Sequence, residues 1–273
     1  MIVKKFGSIL TYIIVILGAF IMILPFLWMI TTSLKPLKAS YSPPYLIPQN
    51  FEIKNYITAW QSAPFLNYYK NSFIVSISIT IGTIIISAMA AYPFARLNFK
   101  GKNFLFYLFL GTMMIPFYVE IIPLYNIIQK IGWIDTRRAL IIPRLFSPFG
   151  IFLFRQYFLT IPKELDEAAE IDGCNKFYIF WKIILPLAKP ATASLAIFTF
   201  LFGWNDFLWP LLVTTRPEFT TVQVGIANFS GKYGTLWPYL MAGTVTSVLP
   251  VFIVFILGQK QFIEGMMTGG VKE

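Results

Sequence analysis

Six stretches of this sequence are apolar for long enough to cross a lipid bilayer, at residues 9–32, 72–95, 104–129, 139–159, 189–213 and 238–260. No other feature restricts the fold as strongly. A helix rises about 1.5 Å per residue, so roughly 20 apolar residues cover the hydrocarbon core. No water is available there to serve backbone N–H and C=O groups, so each crossing segment has to close its own hydrogen bonds as a helix. The predicted fold class is an all-α integral membrane protein, a single transmembrane domain over residues 1–273 with six helices. Composition agrees. Charged residues make up 12% of the chain, against about 25% in soluble domains, too few to cover a water-facing surface. The first stretch follows Lys4 and Lys5 as a signal peptide would. Its apolar run is too long for one and no clean small-residue cleavage site follows, so it is read as a retained helix.

An even number of spans puts both termini on one side. With the N-terminus inside, Lys4, Lys5, Arg96, Lys100, Lys102, Arg155, Lys163, Lys176, Lys182, Lys189, Lys260 and Lys272 fall inside and the other 10 of the 22 basic residues outside. The short segment Arg96–Lys102 speaks for this orientation, and Lys130, Arg137 and Arg138 speak against it. The 33–71 segment carries Pro36, Pro43, Pro44, Pro48 and Pro64, which favour an extended surface path.

Several function classes drop out. Without histidine there is no imidazole proton relay and no His-based zinc site. Cys174 is the only cysteine, which excludes an internal disulfide or a thiolate cluster. The formal charge of +10 is spread singly or in pairs and is read as lipid headgroup and topology charge, not as a nucleic-acid patch. No G-x-x-x-x-G-K-[ST] run occurs, so no phosphate-cradling loop for ATP is present.

The segment 160–188, between the fourth and fifth stretches, is different in character. It holds five of the chain's 12 acidic residues, Glu164, Asp166, Glu167, Glu170 and Asp172. Pro162 suits a first helical turn, and the acids after it lie near the helix's positive end. Leu165, Ala168, Ala169 and Asp172 are spaced to share one face. Gly173 supplies a left-handed stop. Asn175 can cap a second helix, with Phe177, Phe180, Trp181 and Ile184 as its apolar face, ended by Pro186. The spacing predicts helix, tight turn, helix at the membrane surface. Whether this is an ordinary connector or a docking surface is left open by spacing; the small pair Ala168 and Ala169 beside Glu167 gives room for close approach by a partner.

Glu167-Ala-Ala-x-x-x-Gly173, with Ile184-Leu-Pro186 downstream, resembles the EAA loop of binding-protein-dependent ABC importers, with Cys174 and Asn175 standing where a small residue and serine are usual. Pro162, Glu164, Leu165, Asp172 and Pro190 match its flanks. Asn71-Ser-Phe73, Ala91-Tyr-Pro-Phe-Ala-Arg96, Ile122-Pro-Leu-Tyr125, Trp204-Asn-Asp-Phe207 and Gly265-x-x-x-Gly-Gly-Val-Lys272 resemble the sugar-importer branch, in particular the six-span inner permease of maltose-type systems. The resemblance implies a multi-pass permease of a prokaryotic cytoplasmic membrane with both termini cytoplasmic. It implies that Glu164, Leu165, Glu167, Ala168, Ala169, Asp172 and Gly173 couple to a separate ATPase. The implied partners are a homologous permease forming a pseudo-dimer, two ATP-binding subunits and an extracytoplasmic sugar-binding protein. ATP and Mg would sit on the ATPase, with no cofactor, metal or catalytic residue on this chain.

Charges inside spans are costly and are usually paired or functional. Counting about 1.5 Å per residue along straight spans puts Glu120 and Asp206 at similar depth, with Arg144 near them. On one reading Glu120, Asn205 and Asp206 bind solute hydroxyls while Trp204, Phe207 and Trp209 offer flat faces to sugar rings. On the other, Arg144 forms a structural ion pair with one carboxylate and the aromatics belong to an interfacial belt. Pro25, Pro116, Pro123 and Pro250 are expected to kink helices. Two further classes stay in view: an ion-coupled secondary transporter using Glu120 and Asp206, disfavoured by the lack of a visible inverted repeat, and a membrane enzyme, for which no nucleophile–base pair is evident.

Overall fold

The computed structural model describes residues 2–38, 45–231 and 234–270, with side chains over 11–38, 45–231 and 234–259. Pro43, Pro44, Lys232, Val271 and Lys272 lie outside the described residues, as do the side chains of Lys4, Lys5 and Lys260. Most of the described residues are helical. In order, the helices are α1 (Ile2–Ser33), α2 (Lys54–Gln61), α3 (Phe65–Arg96), α4 (Lys102–Gly111), α5 (Phe117–Lys130), α6 (Arg137–Ile141), α7 (Pro148–Thr160), α8 (Glu164–Ile171), α9 (Lys176–Ile179), α10 (Leu185–Leu187), α11 (Lys189–Asn205), α12 (Leu208–Val213), α13 (Val222–Ala227) and α14 (Trp237–Gly270). A minimal hairpin pairs Ser230–Gly231 with Gly234–Thr235.

Among the described residues three helices are long and apolar enough to cross a membrane: Thr11–Ser33 of α1, all of α3, and Trp237–Gln259 of α14. Two bent pairs raise the count to five if each is one span: Lys102–Met114 with Phe117–Lys130, bent by 94°, and Lys176–Leu187 with Lys189–Asn205, bent by 77°. The stretch expected as one span at 139–159 is interrupted. α6 runs into a single tight turn at Ile142–Arg144, and α7 starts afresh at Pro148 with Ser147 as its cap, the hydroxyl accepting from Gly150 N at 3.0 Å. Proline lacks an N–H and crowds the turn before it, so Pro143 and Pro148 end helical continuity, while Thr136 and Ser147 satisfy the freed N-terminal amides. At the 94° bend Pro116 and the residue before it are extended, as the restriction on residues preceding proline requires. Pro25, Pro123 and Pro250 stay inside helices.

The chain divides into two units. The first comprises residues 1–66 and 225–249. Here the end of α1 is fastened to α2. Asn55 Nδ2 donates to the carbonyls of Ser33 (2.8 Å) and Lys35 (2.7 Å), and the Ser33 and Tyr56 hydroxyls meet at 2.7 Å. Lys35, only 4% exposed, donates to the Tyr45 carbonyl and lies 4.5 Å from the Trp28 and Tyr45 ring centres, so its ammonium is buried with a carbonyl and two π-faces as partners.

The second unit comprises residues 67–224 and 250–273, and α3 is its spine. Many of its inward positions are small or hydroxylic: Ser72, Ser76, Thr83, Ser87, Ala88, Ala91 and Ala95 are buried, beside larger residues such as Val75, Ile79, Tyr92 and Phe94. Lipid tails are as apolar as leucine, so helices in a membrane gain by close backbone approach at small residues. Gly203 of α11 faces Ser76 so closely that an added Cβ would lie 3.2 Å from the Ser76 Cα, and one on Gly150 of α7 would lie 2.5 Å from the Ser87 Oγ. The two ends of α3 are fastened by polar groups. At the start, Asn71 Nδ2 donates to the carbonyls of Glu218 (2.7 Å) and Thr220 (3.1 Å), and Ser72 Oγ accepts from Val222 N (2.9 Å). At the other end, Arg155 of α7 donates to the Phe94 carbonyl at 3.2 Å, a cation where the helix dipole is negative.

Candidate functional site

Two places in the second unit carry the residues singled out by the sequence. The first is the α8–α9 pair. α8 ends in a paired-carbonyl closure: Gly173 N donates to Glu170 O (3.0 Å) and Cys174 N to Ala169 O (2.9 Å), a pattern that needs a left-handed residue between them. Gly173 supplies it at φ +82°, and Asn175 caps α9 by accepting from Tyr178 N at 2.8 Å. The turn and cap are those expected. The helix face is not as expected. Leu165, Ala168 and Asp172 are exposed, with Glu164 and Glu167, whereas Ala169 is 6% exposed and turned into the core, together with Asp166 at 8%. Beyond α9 the chain widens into a π-helical turn at Phe180–Ile184, whose Phe180 and Ile184 join Ile179 in the same core as Tyr92, Phe158 and Ile161. The pair is therefore anchored from beneath and presents Leu165, Glu167, Ala168, Asp172 and the 86% exposed Ile171 outward. Lys176 pairs with Glu170 on this exposed side.

The anchor is partly ionic. Arg96, last residue of α3, sends Nη2 to the Ile161 carbonyl (3.0 Å) and lies with Nε 3.5 Å from Asp166 Oδ2, both side chains largely buried at 4% and 12% exposure. Burial raises the Asp166 carboxyl from its ordinary value, and the Arg96 charge only partly opposes it. Spacing did not reveal this contact, because the residues are 70 positions apart in the sequence. The available signal was an acidic residue on the face that also carries Ala169.

The second place is a cavity of about 550 Å³ lined among others by Thr83, Thr112, Phe117, Glu120, Arg144, Ser147, Thr199 and Phe202. Its wall includes residues at the 94° bend, Thr112 and Phe117, and in the broken 139–159 segment, Arg144 and Ser147. Arg144 sits in the non-helical turn. Its guanidinium carbon is 3.9 Å from the Phe117 ring centre and 5.0 Å from that of Phe202, and Nη2 donates to Asp206 Oδ2 at 2.7 Å. Asp206 Oδ1 also accepts from Trp209 N at 3.4 Å. Arg144 and Asp206 thus meet, as depth counting anticipated. For Glu120 the straight-span count does not apply, since its helix lies beyond the bend; it nonetheless reaches the cavity lining.

The other proposed path residues are placed differently. Trp204 is fully buried, with its ring 5.9 Å from Tyr69, 4.8 Å from Phe73 and 5.8 Å from Phe200. Trp209 is fully buried and its indole donates to the Ala139 carbonyl at 2.8 Å. Asn205 is exposed and meets Gln223 at 3.5 Å, and Phe207 is 40% exposed; neither lines the cavity. The hydroxyls of Thr83, Thr112, Ser147 and Thr199 were missed because single Ser and Thr residues barely alter the apolarity of a span. On a largely apolar wall the lining carries hydroxyls, one carboxylate, one guanidinium and aromatic faces, groups able to bind a polyhydroxylated solute through hydrogen bonds and ring contact.

Comparison with known proteins agrees with this architecture. Residues 81–262 match the family model described as the binding-protein-dependent transport system inner membrane component. The chain is 38% identical over 258 residues to an arabinooligosaccharides transport system permease protein, AraQ, of Halalkalibacterium halodurans, covering 93% of this chain and 92% of the relative. It is 34% identical over 269 residues to the sn-glycerol-3-phosphate transport system permease protein UgpE of Yersinia pestis, covering 95% and 96%. In fold it is similar to a chain of a bacterial ABC transporter involved in the import of the acidic polysaccharide alginate, with TM-score 0.83 at 23% identity, covering 94% of this chain and 97% of that one. An α3 packed through small residues, a fastened surface helix pair and a match over two-thirds of the sequence agree: this chain belongs to the family of inner-membrane components of binding-protein-dependent transport systems.

Proposed function

We propose that the chain forms one half of the translocation pathway of an ATP-driven carbohydrate importer, and that α8–α9 is the surface on which a separate ATPase docks. The observation that carries this reading is the α8–α9 pair itself. It is packed against the core from beneath while Leu165, Glu167, Ala168 and Asp172 stay exposed, the small alanine leaving room beside a carboxylate. The segments 104–129, 139–159 and 189–213 count as three broken spans beside α1, α3 and α14, six in all, with both termini cytoplasmic and the 160–188 loop on the same side. The pathway is completed by a homologous permease. Two ATP-binding subunits carry ATP and Mg, and an extracytoplasmic binding protein delivers the solute.

A carbohydrate is favoured by the hydroxyls and aromatic rings of the cavity and by the named cargo of the 38% identical relative. Glu120 and Arg144 face the solute directly; Asp206 acts through Arg144. Closure of the ATPase pair on ATP draws the two docking loops together and turns the cavity outward, alternating access by rigid-body motion. The test is copurification of the ATPase with Glu167→Lys and Ala168→Trp variants in the membrane. Both are expected to insert normally and lose the ATPase. Intact, coupled complexes in both variants would refute the docking assignment.

A further inference from the structure

α8 and α9 are joined by the chain to α7 and, through α10, to α11, yet an ionic contact beneath them is made by α3, which is not their neighbour in sequence. Arg96 reaches both the loop entering α8, at the Ile161 carbonyl, and the buried face of α8, at Asp166. One turn earlier Tyr92 packs its ring 5.3 Å from Phe180 and 6.5 Å from Phe158, between the segment after α9 and the end of α7. The Tyr92 hydroxyl, Arg96 Nε and Asp166 Oδ2 are buried and have no hydrogen-bond partner among the described residues. The Arg96–Asp166 separation of 3.5 Å is longer than a charge-assisted hydrogen bond of about 2.7–2.9 Å.

Apolar contacts such as Tyr92 with Phe180 permit sliding, since dispersion has little directional preference. A guanidinium held to a carbonyl and facing a carboxylate does not, because charge separation in a buried site is costly. We propose that Arg96 is a positioning residue that transmits displacement of the α8 docking helix to α3, with Asp166 as its partner and with a shift of under about 1 Å closing the open contact into a full hydrogen bond. α3 is the consequential recipient. It contributes Thr83 to the cavity wall and is fastened at its far end through Asn71 and Ser72. The proposal rests on ATPase docking at α8–α9, but it assigns a different role: Glu167 and Ala168 hold the ATPase, whereas Arg96 and Asp166 convert its motion.

The complete transporter, with partner permease, ATPase and binding protein, is purified and placed in liposomes. Two quantities are read: ATPase retained per permease, and solute moved per ATP hydrolysed. Arg96→Met combined with Asp166→Leu removes both charges together and so leaves no lone buried ion. It is expected to retain the ATPase at the wild-type ratio and to move about tenfold less solute per ATP, a typical coupling between sites. Exchange of the charges, Arg96→Asp with Asp166→Arg, is expected to recover part of that loss. Arg96→Lys keeps the charge but lacks the fork that spans two acceptors, so it should give an intermediate ratio even if the double variants fail to assemble. A wild-type ratio of solute to ATP in Arg96→Lys, or in the neutral pair, overturns the proposal. Loss of the ATPase from an inserted neutral pair also overturns it, since the residues would then shape the docking surface instead. A wild-type permease that never binds the ATPase would sink the docking reading as well.

Discussion

Arg144 and Asp206 offer the sharpest energetic test of the cavity. Their side chains are 9% and 13% exposed and joined at 2.7 Å, with the guanidinium close to two phenyl rings. Removing one partner of a buried pair leaves a charge with no counter-ion, at about 3–5 kcal/mol. Arg144→Met also loses two cation–ring contacts worth about 0.5–2 kcal/mol each, though methionine keeps the apolar packing, so a total of about 4–6 kcal/mol is expected. Asp206→Asn keeps an acceptor for the guanidinium, worth about 1 kcal/mol, and should cost about 2–4 kcal/mol. Replacing both at once removes the lone charge, and such replacements are often close to neutral, so the double variant should cost about 1–2 kcal/mol. The implied coupling is at least about 4 kcal/mol. The assay is equilibrium unfolding in mixed micelles followed by tryptophan fluorescence, for the wild type, both single variants and the double variant. If the double variant's cost equals the sum of the singles within about 0.5 kcal/mol, the pair is not coupled and the reasoning fails. Uptake gives a second axis. If the pair shapes the solute path, Asp206→Asn also slows transport while keeping the ATPase bound; wild-type transport would remove Asp206 from the path.

Gly203→Val should drive α11 off α3 at the Ser76 backbone and destabilise the protein by about 1–3 kcal/mol, read by the same unfolding assay, whereas Gly18→Val, which meets nothing within 4 Å, should not. Asp135 is the third target. It accepts from Thr215 N, Thr215 Oγ1 and Arg216 N at 2.6, 2.6 and 2.9 Å, tying the loop before α6 to the loop after α12. Burial raises its carboxyl, but these hydrogen bonds and the Arg216 charge outweigh that and hold it below its ordinary 3.8. A depressed carboxylate stabilises above its unfolded value and loses that contribution as pH falls through the folded one. Amide-exchange protection of residues 214–217 should therefore be steady at neutral pH and fall below about pH 3.8. Asp135→Ala should abolish that protection at all pH values, and a retained pH dependence would refute the assignment.

The sequence was most informative where local chemistry decides. Gly173 and Asn175 were readable as a left-handed stop and a cap because both act on backbone within a few residues. Helix breaks were harder to read. Pro116 and Pro148 sit at breaks, yet Pro25, Pro123 and Pro250 remain within helices. A membrane helix tolerates proline when neighbours re-satisfy the freed groups, so the residue alone does not settle the outcome. Ser147 tips one such case by capping a new start. Hydropathy averages over a window and stays high through a sharp bend, so it marked 139–159 as continuous. The expected grouping of Ala169 with Leu165, Ala168 and Asp172 on one face failed for a tertiary reason: Arg96 lies beneath α8, and Asp166, a carboxylate that looks suited to the surface, turns in with Ala169 to meet the charge. The cavity wall includes residues at those same breaks. Its charged members were legible because ions within apolar runs stand out, and its hydroxyls were not.

The difference between α1 and α3 has a consequence for how freely each can change. Thr11–Ser33 has none of its most apolar window buried inside the chain, and its side chains from Tyr12 to Phe20 are nearly all exposed. Within this chain, little more than bulk apolarity is asked of those positions, a property that leucine, isoleucine, valine and phenylalanine supply almost interchangeably. α3 has to satisfy a shape at Ser76 and Ser87, a hydroxyl at Ser72 and a guanidinium at Arg96. In a saturation library α1 should accept nearly any apolar exchange from Tyr12 to Phe20, while α3 should reject even small enlargements at its buried positions. Two helices of equal length and similar hydropathy would then differ widely in mutational tolerance, because one is solvated and the other is assembled.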